Sequence, residues 1–254
     1  MKQHACVIFC RCGAGIPDKT FNIVSQGLKH LDAHVYELQD LCAFSVSEPD
    51  VLNEISSRFE KKIIVACYPR AVKNMLKQGG VASGQFEYLN FKELTPDEIF
   101  SKIQNEHQVA KGEAFYQTKI STLNVPAWYP VVDESLCSLC GKCARFCLFG
   151  VYKYDKKSLK VVNPLACKNN CPACGRTCPT SAIMFPRLDE KSILAGAEPG
   201  SATKIVPENS LLLLLNNRNK ERKNIFRQGV VQLAEEERRK ALEEMKTALL
   251  KKDS

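Results

Sequence analysis

Eight of the chain's 13 cysteines lie between residues 137 and 178, in two runs of four. In each run, three cysteines stand two or three residues apart and a fourth follows after three more residues. The two runs are Cys137, Cys140, Cys143 and Cys147, then Cys167, Cys171, Cys174 and Cys178. Thiolates at this spacing bind four-iron clusters, so the sequence predicts two 4Fe–4S clusters.

In such paired runs, the fourth cysteine of each run binds the cluster of the other run. The expected ligands are therefore Cys137, Cys140, Cys143 and Cys178 for one cluster, and Cys167, Cys171, Cys174 and Cys147 for the other. Two features depart from the usual pattern, since Leu148 replaces the proline after the first run and the second run opens with a longer gap. Zinc is the alternative metal, but zinc sites usually consist of two separated cysteine pairs.

Four more cysteines follow predicted strands in the first 70 residues. Strands are predicted at Ala5–Phe9, His34–Leu38, Lys62–Cys67 and Glu87–Phe91, and helices at Lys19–Leu31, Pro49–Glu60, Pro69–Gln78 and Pro96–Val109. This alternation predicts an α/β domain with a small parallel sheet. The carboxyl ends of parallel strands share one edge, so Cys10, Cys12, Cys42 and Cys67 should meet there and could bind a third cluster or another metal. Alternatively, Cys42 and Cys67 are buried small side chains.

These residues resemble one known family. Cys10-Arg-Cys12-Gly after a strand, a middle cysteine at Cys42, and Cys67-Tyr-Pro-Arg70 look like the N-terminal domain of the heterodisulfide reductase A subunit. The resemblance covers about residues 1–110 and implies a Rossmann-like domain that holds a third 4Fe–4S cluster through Cys10, Cys12, Cys42 and Cys67. Residues 43–45, Ala-Phe-Ser, depart from the Ser-Asp-Pro-Gly that the family has there, and its flavin domain is missing.

The predicted organisation has four parts. A Rossmann-like domain over 1–111 is followed by a linker over 112–130, an α+β ferredoxin domain of the bacterial type over 131–188, and an extension over 189–254 with a C-terminal helix. We expect the aromatic residues of the linker to pack over the ferredoxin domain or against the first domain. A β-hairpin is predicted from Val151–Tyr154 and Leu159–Val162.

Composition narrows the function classes. The formal charge is +8, but three oxidised clusters at roughly −2 each would reduce it to about +2, which weakens a nucleic-acid interpretation. We expect no secretory signal, since the N-terminal residues lack a long apolar core, and no apolar run is long enough to span a bilayer. The cysteine usage is typical of a reducing cytoplasm. Around Gly13-Ala-Gly15, a dinucleotide fingerprint would need a glycine where Asp18 stands, so no FAD or NAD site is expected. The same turn would let backbone N–H groups approach a cluster.

We therefore expect a cytoplasmic electron-transfer subunit rather than a stand-alone enzyme. The resemblance implies a heterodisulfide-reductase-like complex, in which the chain relays single electrons between a partner's flavin or metal centre and an acceptor. One alternative is a catalytic subunit that reduces a disulfide or persulfide at the N-terminal cluster, with Cys6 taking part; otherwise Cys6 is a buried thiol. Another is a zinc or redox-sensing module that binds nucleic acid through Arg218 to Arg227.

Overall fold

The structure is a computed structural model. It describes residues 3–12, 17–82, 86–123 and 125–200, together with positions 236, 238–240 and 243. The chain folds into two compact units, Met1–Ser201 and Ala202–Ser254. The described positions of the second unit are helical and exposed, within the helix expected near the C-terminus. The Gly13–Gly15 turn and the basic segment Arg218–Arg227 lie outside the described residues.

A five-stranded parallel sheet forms the first half of the described chain. Its strands are β1 (Gln3–Cys10), β2 (His34–Leu38), β3 (Phe59–Ala66), β4 (Phe86–Asn90) and β5 (Phe115–Lys119). They lie in the order β4-β3-β1-β2-β5, with every neighbouring pair parallel. The connecting helices are α1 (Asp18–Leu28), α2 (Leu41–Ser47), α3 (Pro49–Arg58), α4 (Pro69–Gln78) and α5 (Pro96–Ser101). This architecture confirms the predicted α/β class.

Three differences from the predictions are the largest, whereas β1, α1, α3 and β3 differ only in where they begin or end. Strand β5 lies inside the segment interpreted as a linker, and it is an edge strand whose side chains are exposed or half-buried, so it carries little apolar signal. Helix α2 was not predicted; the Asp40 carboxylate caps it by accepting a hydrogen bond from the Ala43 N–H (3.2 Å). Helix α5 gives way to a π-helical turn at Lys102–Glu106 instead of continuing to Val109.

The cysteine-rich stretch is built from short elements. They are β6 (Val131–Val132), α6 (Lys142–Phe146), β7 (Tyr152–Tyr154), β8 (Leu159–Val161), α7 (Ala173–Arg176) and β9 (Ile183–Met184). Strands β7 and β8 pair antiparallel, which confirms the predicted hairpin, and β6 pairs antiparallel with β9. The ferredoxin-type fold and the domain boundaries stay predictions.

The β6–β9 ladder separates two hydrophobic cores. Successive side chains of a strand point to opposite faces. Val131 and its partner Met184 accordingly pack into the core under the sheet, whereas Val132 and its partner Ile183 pack into the core among the cysteine runs. Tyr129, two residues before Val131, packs into the same core under the sheet. The β6–β9 ladder therefore contributes side chains to the cores of both the sheet domain and the cysteine-rich stretch.

Helix α4 adds a second connection between the halves. Arg70, which is 5% exposed, donates hydrogen bonds to the carbonyls of Ser181 (2.8 Å) and Ala197 (3.3 Å). Gly196 sits against the same helix with a φ of +114°, and a Cβ there would lie 2.4 Å from the Cβ of Ala71. Only glycine satisfies both the left-handed backbone and the close approach. Residues near 196 are therefore fixed against the sheet domain.

Within the described residues, no helix is long and apolar enough to cross a membrane.

Candidate metal centre

The four N-terminal cysteines of the predicted third site lie at the carboxyl edge of the sheet. Cys10 ends β1, Cys12 follows it, Cys67 follows β3, and Cys42 lies in α2 just after β2. Strands β2 and β3 flank β1 on opposite sides, so the chain reverses its direction of winding at β1. In open α/β sheets, ligands bind at the carboxyl ends of the strands beside such a reversal.

These thiols are close enough to one another for their charges to interact. A hydrogen bond with Cys12 and burial raise the pKa of Cys10, with further contributions from Cys42 and Asp40. Burial, together with the charge of the neighbouring Cys12, raises the pKa of Cys67 to about 12. Burial and then the charges of Asp40, Cys67 and Cys12 raise the pKa of Cys42. Such thiols stay protonated at neutral pH unless a bound metal displaces the proton.

Residues from outside the sheet domain cover this thiol cluster. The Arg187 guanidinium lies 3.1 Å from the Asp40 carboxylate, and its charge opposes the rise in the pKa of Cys42. The buried Tyr129 hydroxyl donates a hydrogen bond to the backbone carbonyl of Cys42 (2.8 Å). The sequence analysis did not find Arg187, Asp40 or Tyr129. No local signal could have revealed the contact between Arg187 and Asp40, which are 147 positions apart.

The two cysteine runs have matching local backbone. The third cysteine of each run, Cys143 or Cys174, is the second residue of a short helix, α6 or α7. The residue before the second cysteine is left-handed in both, with φ of 52° at Leu139 and 57° at Asn170. The extra residue in the second run therefore leaves this backbone feature intact. Gly141 also has a positive φ (+67°), and a Cβ there would lie 2.3 Å from the Tyr154 ring.

The charges of these thiols interact both within and between the two predicted ligand sets, so the crossed assignment stays a prediction. Burial, together with the charges of Cys174, Cys171 and Cys147, raises the pKa of Cys167 to about 12. Cys147 from the first run thus lies beside three cysteines of the second. In the other set, burial raises the pKa of Cys143 to about 11, with contributions that include Cys174, Cys178 and Cys137. Cys140 lies in the loop between Cys137 and Cys143.

Polar groups donate hydrogen bonds to several sulfur atoms. The Tyr152 hydroxyl lies 3.1 Å from the Cys174 Sγ, and the backbone N–H of Ala182 lies 3.3 Å from the Cys178 Sγ. A backbone N–H at Lys142, aided by Ser138, lowers the pKa of Cys140. Donors of this kind stabilise negative charge on cysteine sulfur and set the reduction potential of a bound cluster.

Aromatic residues connect the two cysteine sites. The Trp128 indole stacks on the Phe185 ring, with centroids 5.2 Å apart, and its Nε1 donates to the Cys171 carbonyl (3.4 Å). Tyr129, the next residue, donates to the carbonyl of Cys42. The aromatics of the predicted linker therefore pack on both sides, with Tyr129 in the core of the sheet domain and Trp128 in the core among the cysteine runs.

The donor set fits iron–sulfur clusters. Each predicted set consists of thiols, of which five are buried and the other seven are half-buried. Hydrogen-bond donors lie against the sulfur atoms of Cys174 and Cys178. Among the residues that the structure describes, no three His, Cys, Asp or Glu side chains are grouped closely enough to hold one metal ion. Cys6 is fully buried within β1, and burial raises its pKa to about 12, in agreement with a structural thiol.

Comparison with known proteins identifies the family. An uncharacterized ferredoxin of Methanocaldococcus jannaschii is 31% identical to this chain over 121 residues, which are 47% of this chain and 81% of that protein. The chain belongs to this ferredoxin family. Ferredoxins bind iron–sulfur clusters through cysteine thiolates, so the family agrees with the chemistry that the cysteine spacing predicts. No protein-family model matches the chain, and no solved structure matches it.

Proposed function

We propose that this ferredoxin is an iron–sulfur electron-transfer subunit of a heterodisulfide-reductase-like complex. It would relay single electrons between a partner's flavin or metal centre and an acceptor. Three 4Fe–4S clusters are proposed, with the two predicted ligand sets at 137–178 and the third set at Cys10, Cys12, Cys42 and Cys67. When bound, such clusters accept and release one electron at a time.

The observation that carries the proposal is the joining of the two cysteine sites. Four thiols from three neighbouring strand ends lie at one buried edge, and Tyr129 bonds directly to that edge at Cys42. Trp128, its neighbour in sequence, bonds to Cys171 in the second run. An electron carrier with several centres needs them close together and shielded from water, and this connection suits that need.

The chain's own residues would adjust the charge and hydration of each centre. Two cations act on the N-terminal thiols. The charge of Arg187 opposes the rise in the pKa of Cys42, and the charge of Lys92 opposes the rise in the pKa of Cys67. Tyr152 would donate a hydrogen bond to the thiolate of Cys174. Positive charge and hydrogen bonds at sulfur favour the reduced, more negative state and therefore raise the potential.

The test is the content of iron and acid-labile sulfide in anaerobically purified full-length protein, with EPR of the reduced form. About 12 irons per chain supports three clusters, and about eight supports the two runs alone. Replacing both Cys10 and Cys42 by serine should lower the iron content by about four per chain. Cys6→Ser is the matched control and should leave it unchanged. Colourless protein that contains zinc and no sulfide would refute the proposal.

A further inference from the structure

An apolar patch surrounds the point where the second predicted ligand set approaches the surface. Nine large hydrophobic side chains are exposed in the described part of the chain, and five of them lie between residues 146 and 165. We define the apolar patch as these five: Phe146, Leu148, Phe149, Val162 and Leu165. Leu148 is 91% exposed. Apolar side chains concentrated in this way are typical of interaction sites.

Hydrogen bonds hold the two halves of the patch together. The Asn163 amide donates to the carbonyl of Gly150 (3.0 Å), and the N–H of Val162 donates to the carbonyl of Val151 (2.9 Å). The segment after Phe149 therefore lies beside the segment that leads to Leu165. The patch is a single surface formed by the two loops.

Two half-buried thiols of the second ligand set lie within this surface. Cys147 stands between Phe146 and Leu148 in the chain, and Cys167 follows Leu165 by two residues. The N–H of Cys167 donates to the carbonyl of Pro164 (3.1 Å), which holds this cysteine in the turn that contains Leu165. A protein bound to the patch would contact the chain where this centre is nearest to the surface.

The stretch of chain that carries the patch is rich in basic residues. Between residues 137 and 178 there are eight basic residues and one acidic residue, Asp155. The basic residues are Lys142, Arg145, Lys153, Lys156, Lys157, Lys160, Lys168 and Arg176. Two oxidised clusters of roughly −2 each would leave the stretch at about +3. The surface therefore complements an acidic one.

We propose that the apolar patch binds a redox partner protein whose own apolar contact surface is bordered by acidic residues. An apolar centre within a charged rim is the usual anatomy of such interfaces, and the opposite charges speed up encounter. The proposal rests on the proposed function and adds where the partner binds and what chemistry that partner presents.

The first experiment measures electron transfer from the chemically reduced, full-length holoprotein to flavodoxin, an acidic flavoprotein used as the probe. One electron leaves the reduced protein and enters the oxidised flavin, which takes a proton from water to give the neutral semiquinone. Leu148→Asp should lower the second-order rate at least tenfold, whereas Leu148→Lys should lower it less than threefold. Ile120→Asp is the matched control on another exposed apolar residue, 70% exposed, and should leave the rate unchanged.

The second experiment identifies the occupant of the patch by photo-crosslinking from a benzoylphenylalanine placed at position 148. Crosslinks to flavodoxin that disappear at 0.5 M salt, where the Debye length is about 4 Å, support the proposal. Crosslinks to residues 202–254 of the same chain, or to a second copy, would overturn it. Equal rates for Leu148→Asp, Ile120→Asp and the unchanged protein would also overturn it. Protein that accepts no electrons from dithionite would instead refute the proposed function.

Discussion

The Arg70 guanidinium lies 2.7 Å from the Asp133 carboxylate, and both side chains are at least nine-tenths buried. Arg70 belongs to helix α4 of the sheet domain, and Asp133 follows β6 of the cysteine-rich module. Burial would raise the pKa of Asp133, but hydrogen bonds from Ser135 and Arg70 and the charge of Arg70 lower it below its ordinary value. The pair therefore stays ionised and holds the two modules together.

Arg70→Ala should destabilise the folded protein by about 3–5 kcal/mol, because it leaves the Asp133 carboxylate buried without its cation. The free energy of unfolding from urea titration, monitored by circular dichroism, measures the loss. Lys77→Ala is the control on the same helix, since Lys77 pairs with Glu134 at a site where both side chains are about 60% exposed. It should cost less than about 1 kcal/mol. Equal losses for the two variants would contradict the structural role of Arg70.

Tyr152→Phe should lower the potential of the centre that includes Cys174. The substitution removes the hydroxyl that lies 3.1 Å from the Cys174 sulfur, and the reduced state loses that hydrogen bond. The shift should be on the order of tens of millivolts, since 59 mV corresponds to a tenfold change for one electron. Potentiometric titration with EPR detection measures it. Tyr154→Phe, which removes a hydroxyl bonded to the Leu139 carbonyl, should change that potential less.

Arg187→Gln should lower the potential of the proposed N-terminal centre, also by roughly tens of millivolts. Its cation acts on Cys42 and lies 3.1 Å from Asp40, so its removal disfavours the added electron. Arg187→Lys keeps the positive charge and should shift the potential much less than Arg187→Gln. Arg176→Gln, which breaks a more exposed pair with Glu190, provides the control. If Arg187→Gln and Arg176→Gln shift the potential equally, the effect is one of net charge and not of position.

Serine variants should reveal the crossed ligation. Cys178→Ser should give the same altered EPR spectrum as Cys140→Ser, because both remove a ligand of the first predicted set. Cys147→Ser should instead match Cys171→Ser. A Cys178→Ser spectrum that matched Cys171→Ser would show that each run binds its own cluster and that the pattern is not crossed.

The parallel sheet could be predicted because its buried strands carry a strong apolar signal. β2 has the predicted bounds, and β4 differs from its prediction by one residue at each end. Helix α4 was predicted with its bounds, since Pro69 suits a first turn and Gly79 follows the last. The convergence of Cys10, Cys42 and Cys67 could be predicted because the carboxyl ends of parallel strands lie at one edge of the sheet.

The remaining features could not be predicted because no local pattern carries them. Strand β5 lies at the edge of the sheet, and its pairing with β2 joins distant residues, such as Tyr116 with Glu37, which are 79 positions apart. Arg187 and Tyr129 reach the thiol cluster from segments 147 and 87 positions away from their partners. A single sequence does not show which distant residues meet in space.

The bonds of Arg70 also set an order of events during translation. Its acceptors lie 63 to 127 positions further along the chain. At 5–20 residues per second, Ala197 is added about 6 to 25 seconds after Arg70. The sheet domain therefore emerges from the ribosome with its cysteine-bearing edge still uncovered by Tyr129 and Arg187. For the proposed third cluster, this order would leave the edge open to iron and sulfide until the residues that cover it have been made.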